Sequence, residues 1–161
     1  MALTQSVKIF FSKHVPGYAL GDAIEALTHG SVHHAGFIRR SGLILEAVPP
    51  HVRQRPVTAA DRAEISVFTL RGLTPALADA FEQEFDRILA SPPEYSGEDL
   101  FGFLFNQPNT DEAHTFCSRL VMHTIMRIAP PELWPQVRCM AGDWVSPRDL
   151  FISPMLIPSS L

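Results

Sequence analysis

Thiols are scarce in this chain. Cys117 and Cys139 are its only cysteines, and with no export signal both read as free thiols, not as a disulfide framework. Long apolar runs are missing too: none approaches the roughly 18 to 20 residues that a membrane span requires. The first twenty residues carry Lys8, Lys13 and His14 inside their apolar part, which does not fit a secretory leader, so the chain is expected to be cytoplasmic. Positive charge is also in short supply. Lys and Arg number 13 against 17 Asp and Glu, a net charge of -4, and no basic run extends beyond Arg39-Arg40, which reads as a solvated strand end. Nucleic acid is therefore not an expected partner. With 46% hydrophobic and 19% charged residues, the chain falls outside the disordered class, and its 161 residues suit a single domain over 1–161.

The elements follow from periodicity and punctuation. Val7, Ile9 and Phe11 predict a short first strand, and Leu20 to Thr28 a helix stopped by Gly30. Val32 to Ile38 and Leu43 to Val48 predict two strands, the second broken by Pro49-Pro50. Val52 to Val57 reads as a short irregular strand and Glu64 to Leu70 as a clearer one. Thr74-Pro75 opens a helix with an apolar stripe at Leu77, Phe81, Phe85, Ile88 and Leu89. Ser96-Gly97-Glu98-Asp99 is a capping-box pattern for a shorter helix. Phe116, Cys117, Leu120, Val121, Ile125 and Ile128 mark the stripe of another, which stops at Ala129-Pro130-Pro131. Asp149 to Ile152 reads as the last strand. Strands followed by helices predict an α+β fold, in which an antiparallel sheet packs against the helix bearing Cys117.

The hairpin joining strands 32–38 and 43–48 decides which side chains meet. A two-residue turn places Glu46 opposite Phe37 or Ala35, away from His34. A three-residue loop, Arg40-Ser41-Gly42 with a left-handed glycine, pairs Glu46 with Gly36 and makes it the diagonal neighbour of His34, roughly 7 to 8 Å away. Gly42 is the residue that such a loop favours, and glycine at 36 leaves room for a carboxylate to lean toward the imidazole.

A cysteine becomes a nucleophile when a helix N-terminus or an imidazolium holds it as thiolate. With Thr115 as N-cap, Cys117 lies in the first turn, where backbone N–H groups favour a negative sulfur. With a start at Thr110 or Asp111 it lies a turn deeper, and both starts remain open. A cysteine on an apolar stripe also serves simply as a small hydrophobe. Among the seven histidines, His14, His29 and His51 fall in turns, His114 lacks a strand to fix its ring, and His123 is turned to another face. His33 and His34 lie on opposite faces of one strand, so at most one faces the helix. His34 shares its face with Gly36 and has Glu46 to hold its tautomer.

His34-Ala35-Gly36-Phe37-Ile38, Leu45-Glu46-Ala47, Pro93-Glu94-Tyr95-Ser96 and Phe116-Cys117-Ser118-Arg119-Leu120-Val121 occur in this order. Together they resemble the circularly permuted NlpC-like papain fold, most closely its YiiX-like branch, distantly akin to the lecithin:retinol acyltransferase group. Ser146-Pro147-Arg148-Asp149-Leu150 and Ser153-Pro154 also fit. The resemblance implies Cys117 as nucleophile, His34 as general base and acid, Glu46 as third member of the triad, and Tyr95 as a group near the nucleophile that helps polarise the carbonyl. It implies a cysteine peptidase or amidase acting on a peptide, amide or acyl-lipid substrate, with acyl transfer as an alternative outcome, and no metal or organic cofactor. Arg119 departs from the pattern, which usually carries an acidic residue there, and Cys139 has no counterpart. The rival class is a non-catalytic binding or structural module that keeps the fold.

Overall fold

The computed structural model describes residues 6–13, 32–96, 113–136 and 145–161. The expected helix over 20–28, most of the one after Ser96, and Cys139, His14 and His29 lie outside the described residues. Within them the fold is α+β. The strands are β1 (Lys8–Ser12), β2 (His34–Ile38), β3 (Leu43–Val48), β4 (His51–Pro56), β5 (Ile65–Leu70), β6 (Glu94–Tyr95), β7 (His114–Thr115) and β8 (Leu156–Ser159). They form one sheet in the order β7-β6-β4-β3-β2-β1-β5-β8, antiparallel except for the β6–β7 pair. The helices are α1 (Ala59–Glu64), α2 (Pro75–Ala90), α3 (Cys117–Ile128) and α4 (Pro147–Phe151).

Local chemistry explains most boundaries. Thr74 caps α2 by accepting the Leu77 N–H, and Pro75 occupies the first turn, where its missing N–H costs nothing. Residues 149–152 are not the expected last strand. Ser146 and Asp149 form a capping box with Pro147 just inside it, and that start signal makes the segment helix α4, while the last strand is β8. A second capping box, Thr58 with Asp61, starts the unexpected α1. Segment 52–57 is more regular than expected, because β4 pairs with β3 from Val48↔His51 to Leu43↔Pro56.

The main core lies on one face of the sheet. Phe11, Ala35, Phe37, Leu45 and Ala47 meet Phe81, Phe85 and Ile88 of α2 and Leu120, Val121, Met122 and Ile125 of α3. Phe37 and Phe85 stand 4.9 Å apart, centroid to centroid, and Phe81 is 6.0 Å from both. Each fully buried side chain of this size contributes about 1.5–3 kcal/mol. The opposite face carries a smaller cluster of Phe10, Ile38, Ile44 and Val67. Arg39 and Arg40 are not simply solvated. Arg39 donates to Glu82 (2.8 Å) and Asp86 (2.7 Å), the Arg40 backbone N–H donates to Glu82 (2.9 Å) and its side chain pairs with Asp79, so the pair clamps the hairpin to α2.

Candidate active site

The hairpin register fixes the first pair. Gly42 adopts φ 81° in the three-residue loop, Arg39 N–H donates to Leu43 O at 2.8 Å, and Gly36 stands opposite Glu46. His34 Nε2 then lies 3.2 Å from Glu46 Oε2. The expectation for the space over Gly36 needs correcting: the Phe10 ring fills it, not the carboxylate. A Cβ at Gly36 would meet Phe10 Cε1 at 2.6 Å and Leu45 O at 2.7 Å. Phe10 also stands 5.7 Å from the His34 ring, between centroids, and so walls the imidazole in.

Helix α3 reaches His34 with its tip, not its side. Its body packs on the face that holds Ala35 and Phe37, whereas His34 and Glu46 project from the other. The junction is possible because β2 and β3 part company. Hydrogen-bonded pairs alternate along an antiparallel ladder, so after Arg39/Leu43 and Phe37/Leu45 the next would be Ala35/Ala47. The register instead ends at Gly36↔Glu46. The Ala35 N–H is thereby released from β3, and it and the Ser118 N–H are the backbone groups that lower the proton affinity of the Cys117 thiol. Cys117 Sγ lies 4.0 Å from the His33 carbonyl oxygen and hydrogen-bonds the His34 side chain. With Nε2 engaged by Glu46, Nδ1 is the ring nitrogen left for sulfur.

The start of α3 is one residue later than Thr115 as N-cap requires. Phe116 is the cap residue, with no side-chain cap bond, and Cys117 is the first helical residue. The earlier start at Thr110 or Asp111 does not occur, because His114 and Thr115 form β7. A thiol at the first position meets the unpaired N–H groups and positive end of the helix dipole.

All three groups are buried: Cys117 is 3%, His34 6% and Glu46 2% exposed. Burial alone would raise the thiol, but the His34 hydrogen bond and charge, helped by the two backbone N–H groups, hold it below its ordinary 9.0. Burial pulls His34 down, yet its hydrogen bonds to Cys117 and Glu46 and their charges raise it from 6.5 to about 9. Glu46 is likewise pushed up by burial and held down, to about 2, by His34 and Arg55. All three shifts run toward the charged forms: thiolate at Cys117, imidazolium at His34 and carboxylate at Glu46.

Three residues in this site went unrecognised in the sequence. Arg53 donates to Glu46 Oε1 from Nε (3.0 Å) and Nη2 (2.9 Å), and Arg55 from Nε (2.8 Å). Asp61 in turn holds Arg55. Arg53 and Arg55 are two apart on one strand, and Arg53 stands opposite Glu46 in register. Regular β4 pairing would have predicted both, but an irregular strand hid them. His34, Glu46, Arg53, Arg55 and Asp61 line a cavity of about 330 Å3. A larger cavity, about 620 Å3, lies beside α2, β7 and α3 and includes His114 and His123, but neither Cys117 nor His34.

Cys117, His34 and Glu46 are thus brought together. Tyr95 is not among them: it sits on β6 opposite Thr115, beside the segment that leads into α3, with its ring packed against the main core. Arg119 is fully buried and donates from Nη1 to the His114 carbonyl (3.1 Å), tying α3 to β7. His51 is exposed and opens β4 instead of lying in a turn. Among the described residues, no group of three or more His, Cys, Asp or Glu side chains converges as a metal site would need, and no helix is long and apolar enough to cross a membrane. No family model matches this chain, and no curated protein shows significant similarity to it.

Proposed function

We propose that this protein is a cysteine hydrolase that cleaves an amide, ester or thioester through Cys117, His34 and Glu46, in a permuted NlpC-like papain fold. One observation carries the reading: Cys117, the first residue of α3, hydrogen-bonds a buried histidine whose far nitrogen is 3.2 Å from a buried carboxylate. Nucleophile, base and orienting group are in contact in the order that covalent catalysis requires.

The thiolate attacks the substrate carbonyl carbon, the C=O π electrons move onto oxygen, and N–H groups at the start of α3 stabilise that charge. Collapse expels the amine, alcohol or thiol, which takes its proton from the His34 imidazolium. The now neutral imidazole removes a proton from water as the water oxygen attacks the acyl-enzyme. Collapse of the second tetrahedral species releases the acid and restores thiolate and imidazolium. Glu46 keeps Nε2 protonated and the ring oriented. Tyr95, one strand from the lead into α3, is our candidate for contact with the substrate. An acceptor other than water turns the same cycle into acyl transfer.

Labelling with iodoacetamide near pH 6, with the site found by peptide mapping, tests the reading. Cys117 should label, and His34→Ala should suppress that labelling at least tenfold. The burial of Cys117 favours a second reading, a binding module that retains the residues without turnover, and an inert thiol in the unmodified protein would support it instead.

A further inference from the structure

The contacts that hold Glu46 continue past Arg55. While Arg55 Nε donates to Glu46 Oε1 at 2.8 Å, its Nη1 and Nη2 donate to Asp61 Oδ2 (2.6 Å) and Oδ1 (2.9 Å). Asp61 is itself fixed. Its Oδ2 accepts from the Thr58 N–H and the Thr58 hydroxyl, both at 2.7 Å, and its own N–H donates back to Thr58 Oγ1 at 3.2 Å. One guanidinium therefore lies between two carboxylates, and the outer one is locked by a helix cap.

We propose that Asp61 is a positioning residue for the candidate site: by balancing the charge of Arg55, it lets Glu46 act on His34 with nearly its full negative charge, and so sets the proton affinity of the imidazole. The inference builds on the reading of His34 as the proton carrier.

Electrostatic bookkeeping around the site supports this. His34 meets Cys117 from α3 and Glu46 from β3, while its β1 neighbours, Phe10 and Ser12, are uncharged. Glu46 meets Arg53 and Arg55 from β4; Asp61 and Glu64 of α1 line the same cavity. The two arginines would otherwise place two positive charges on a single carboxylate oxygen and weaken its hold on an imidazolium. Arg53 is 51% exposed, so water and salt screen much of its charge. Arg55 is 28% exposed and Asp61 15%, where screening is weaker and the sign of the pair matters more. Hydrogen bonding from Arg55 keeps the Asp61 carboxyl well below its ordinary range, so it is charged wherever His34 titrates. Thr58 and Asp61 form a capping box of the usual kind, and the second use of the Asp61 carboxylate depends on Arg55 reaching it from the neighbouring strand.

Titration of 13C-labelled histidine rings by NMR in the full chain tests the proposal, with the His34 resonance identified by its loss in His34→Gln. In Asp61→Asn the His34 midpoint should fall by about half to one pH unit, because a negative charge that favours the imidazolium has gone. Arg55→Gln should move it the opposite way, upward. Asp61→Glu and Thr58→Ala keep the carboxylate and should leave the midpoint within about 0.2 unit. An unmoved midpoint in Asp61→Asn overturns the proposal, and so does an equal fall in Thr58→Ala, which would assign the effect to the cap. Should Asp61→Asn fail to fold, absence of the upward shift in Arg55→Gln overturns it. Cys117 labelling keeps the two claims separate: an inert thiol together with the expected midpoint shifts removes the hydrolase reading and leaves Asp61 its role.

Discussion

Alternate residues of β2 face opposite ways, and the two sides use burial differently. On one side Ala35 and Phe37 disappear under α2 and α3 among residues that need only shape and volume to be stable. On the other, His34 and Glu46 are equally buried, yet they keep polar atoms that must each find a partner, since an isolated charge there would cost several kcal/mol. Glu46 meets that demand with three donors on Oε1 and His34 on Oε2. The apolar face tolerates any good packing, whereas the polar face works in one geometry only. A buried row of groups with displaced proton affinities, held in one geometry, is the pattern expected of a reactive site.

The largest effect should come from the apolar side and leave the chemistry untouched. Phe85→Ala empties the centre of the Phe37–Phe81–Phe85 cluster and should cost about 3–5 kcal/mol in denaturant unfolding, with the Cys117 labelling rate at pH 6 unchanged under native conditions. If that rate falls with stability, the two faces are not separable.

A pair of buried carboxylates sharpens the contrast next. Glu84, 7% exposed, also holds two arginines, Arg87 (2.7 Å) and Arg127 (3.4 Å), but it lines the larger cavity, apart from Cys117 and His34. Glu46→Gln should cost about 2–3 kcal/mol, because positive groups are left facing a buried amide, and should slow Cys117 labelling at least tenfold. Glu84→Gln, whose arginines are about half exposed to water, should cost about 1 kcal/mol or less and leave labelling alone. Equal effects on labelling would contradict a special role for Glu46.

The smallest effect lies in the pH dependence of stability. The raised His34 value contributes stability that is complete below 6.5 and is lost as pH rises through about 9. The lowered Cys117 value contributes stability that is complete above 9.0 and is lost as pH falls through its folded value. Where both are charged in the folded protein, above the folded value of the thiol and below about 9, the two offset each other, since the proton that the thiol gives up is the one the imidazole gains. Glu46 adds stability present above 4.5 and lost as pH falls through about 2. Chemical denaturation should therefore show only a weak pH dependence while both groups are charged, whereas Cys117→Ser, in which only Glu46 still raises His34, should lose stability as pH rises above 6.5, over a window that ends below 9.

How far the sequence could be read differs between the same two faces. The apolar stripes of α2 and α3 repeat locally and are visible from periodicity, and the Gly42 loop set the register that brings Glu46 to His34. Glycine at 36 leaves room as expected but for another group, since the ring that uses the space is on β1, twenty-six positions earlier. Arg53, Arg55 and Asp61 were not legible: two arginines on a polar strand look like a solvated edge until the register aims them at one carboxylate. The opening between β2 and β3 that frees Ala35 N–H leaves no mark in composition or spacing. Segment 149–152 differs from expectation because the Ser146-Pro147 start signal preceding it outweighs its apolar run.

The hydrolase reading requires Cys117 and His34 to form a thiolate–imidazolium pair at neutral pH. Titrating the ultraviolet absorbance of the thiolate in the native protein, with Cys117→Ser subtracted, measures that pair directly. The Cys117 thiolate should already be present at pH 6; its appearance only near its ordinary 9.0 would rule the pair out.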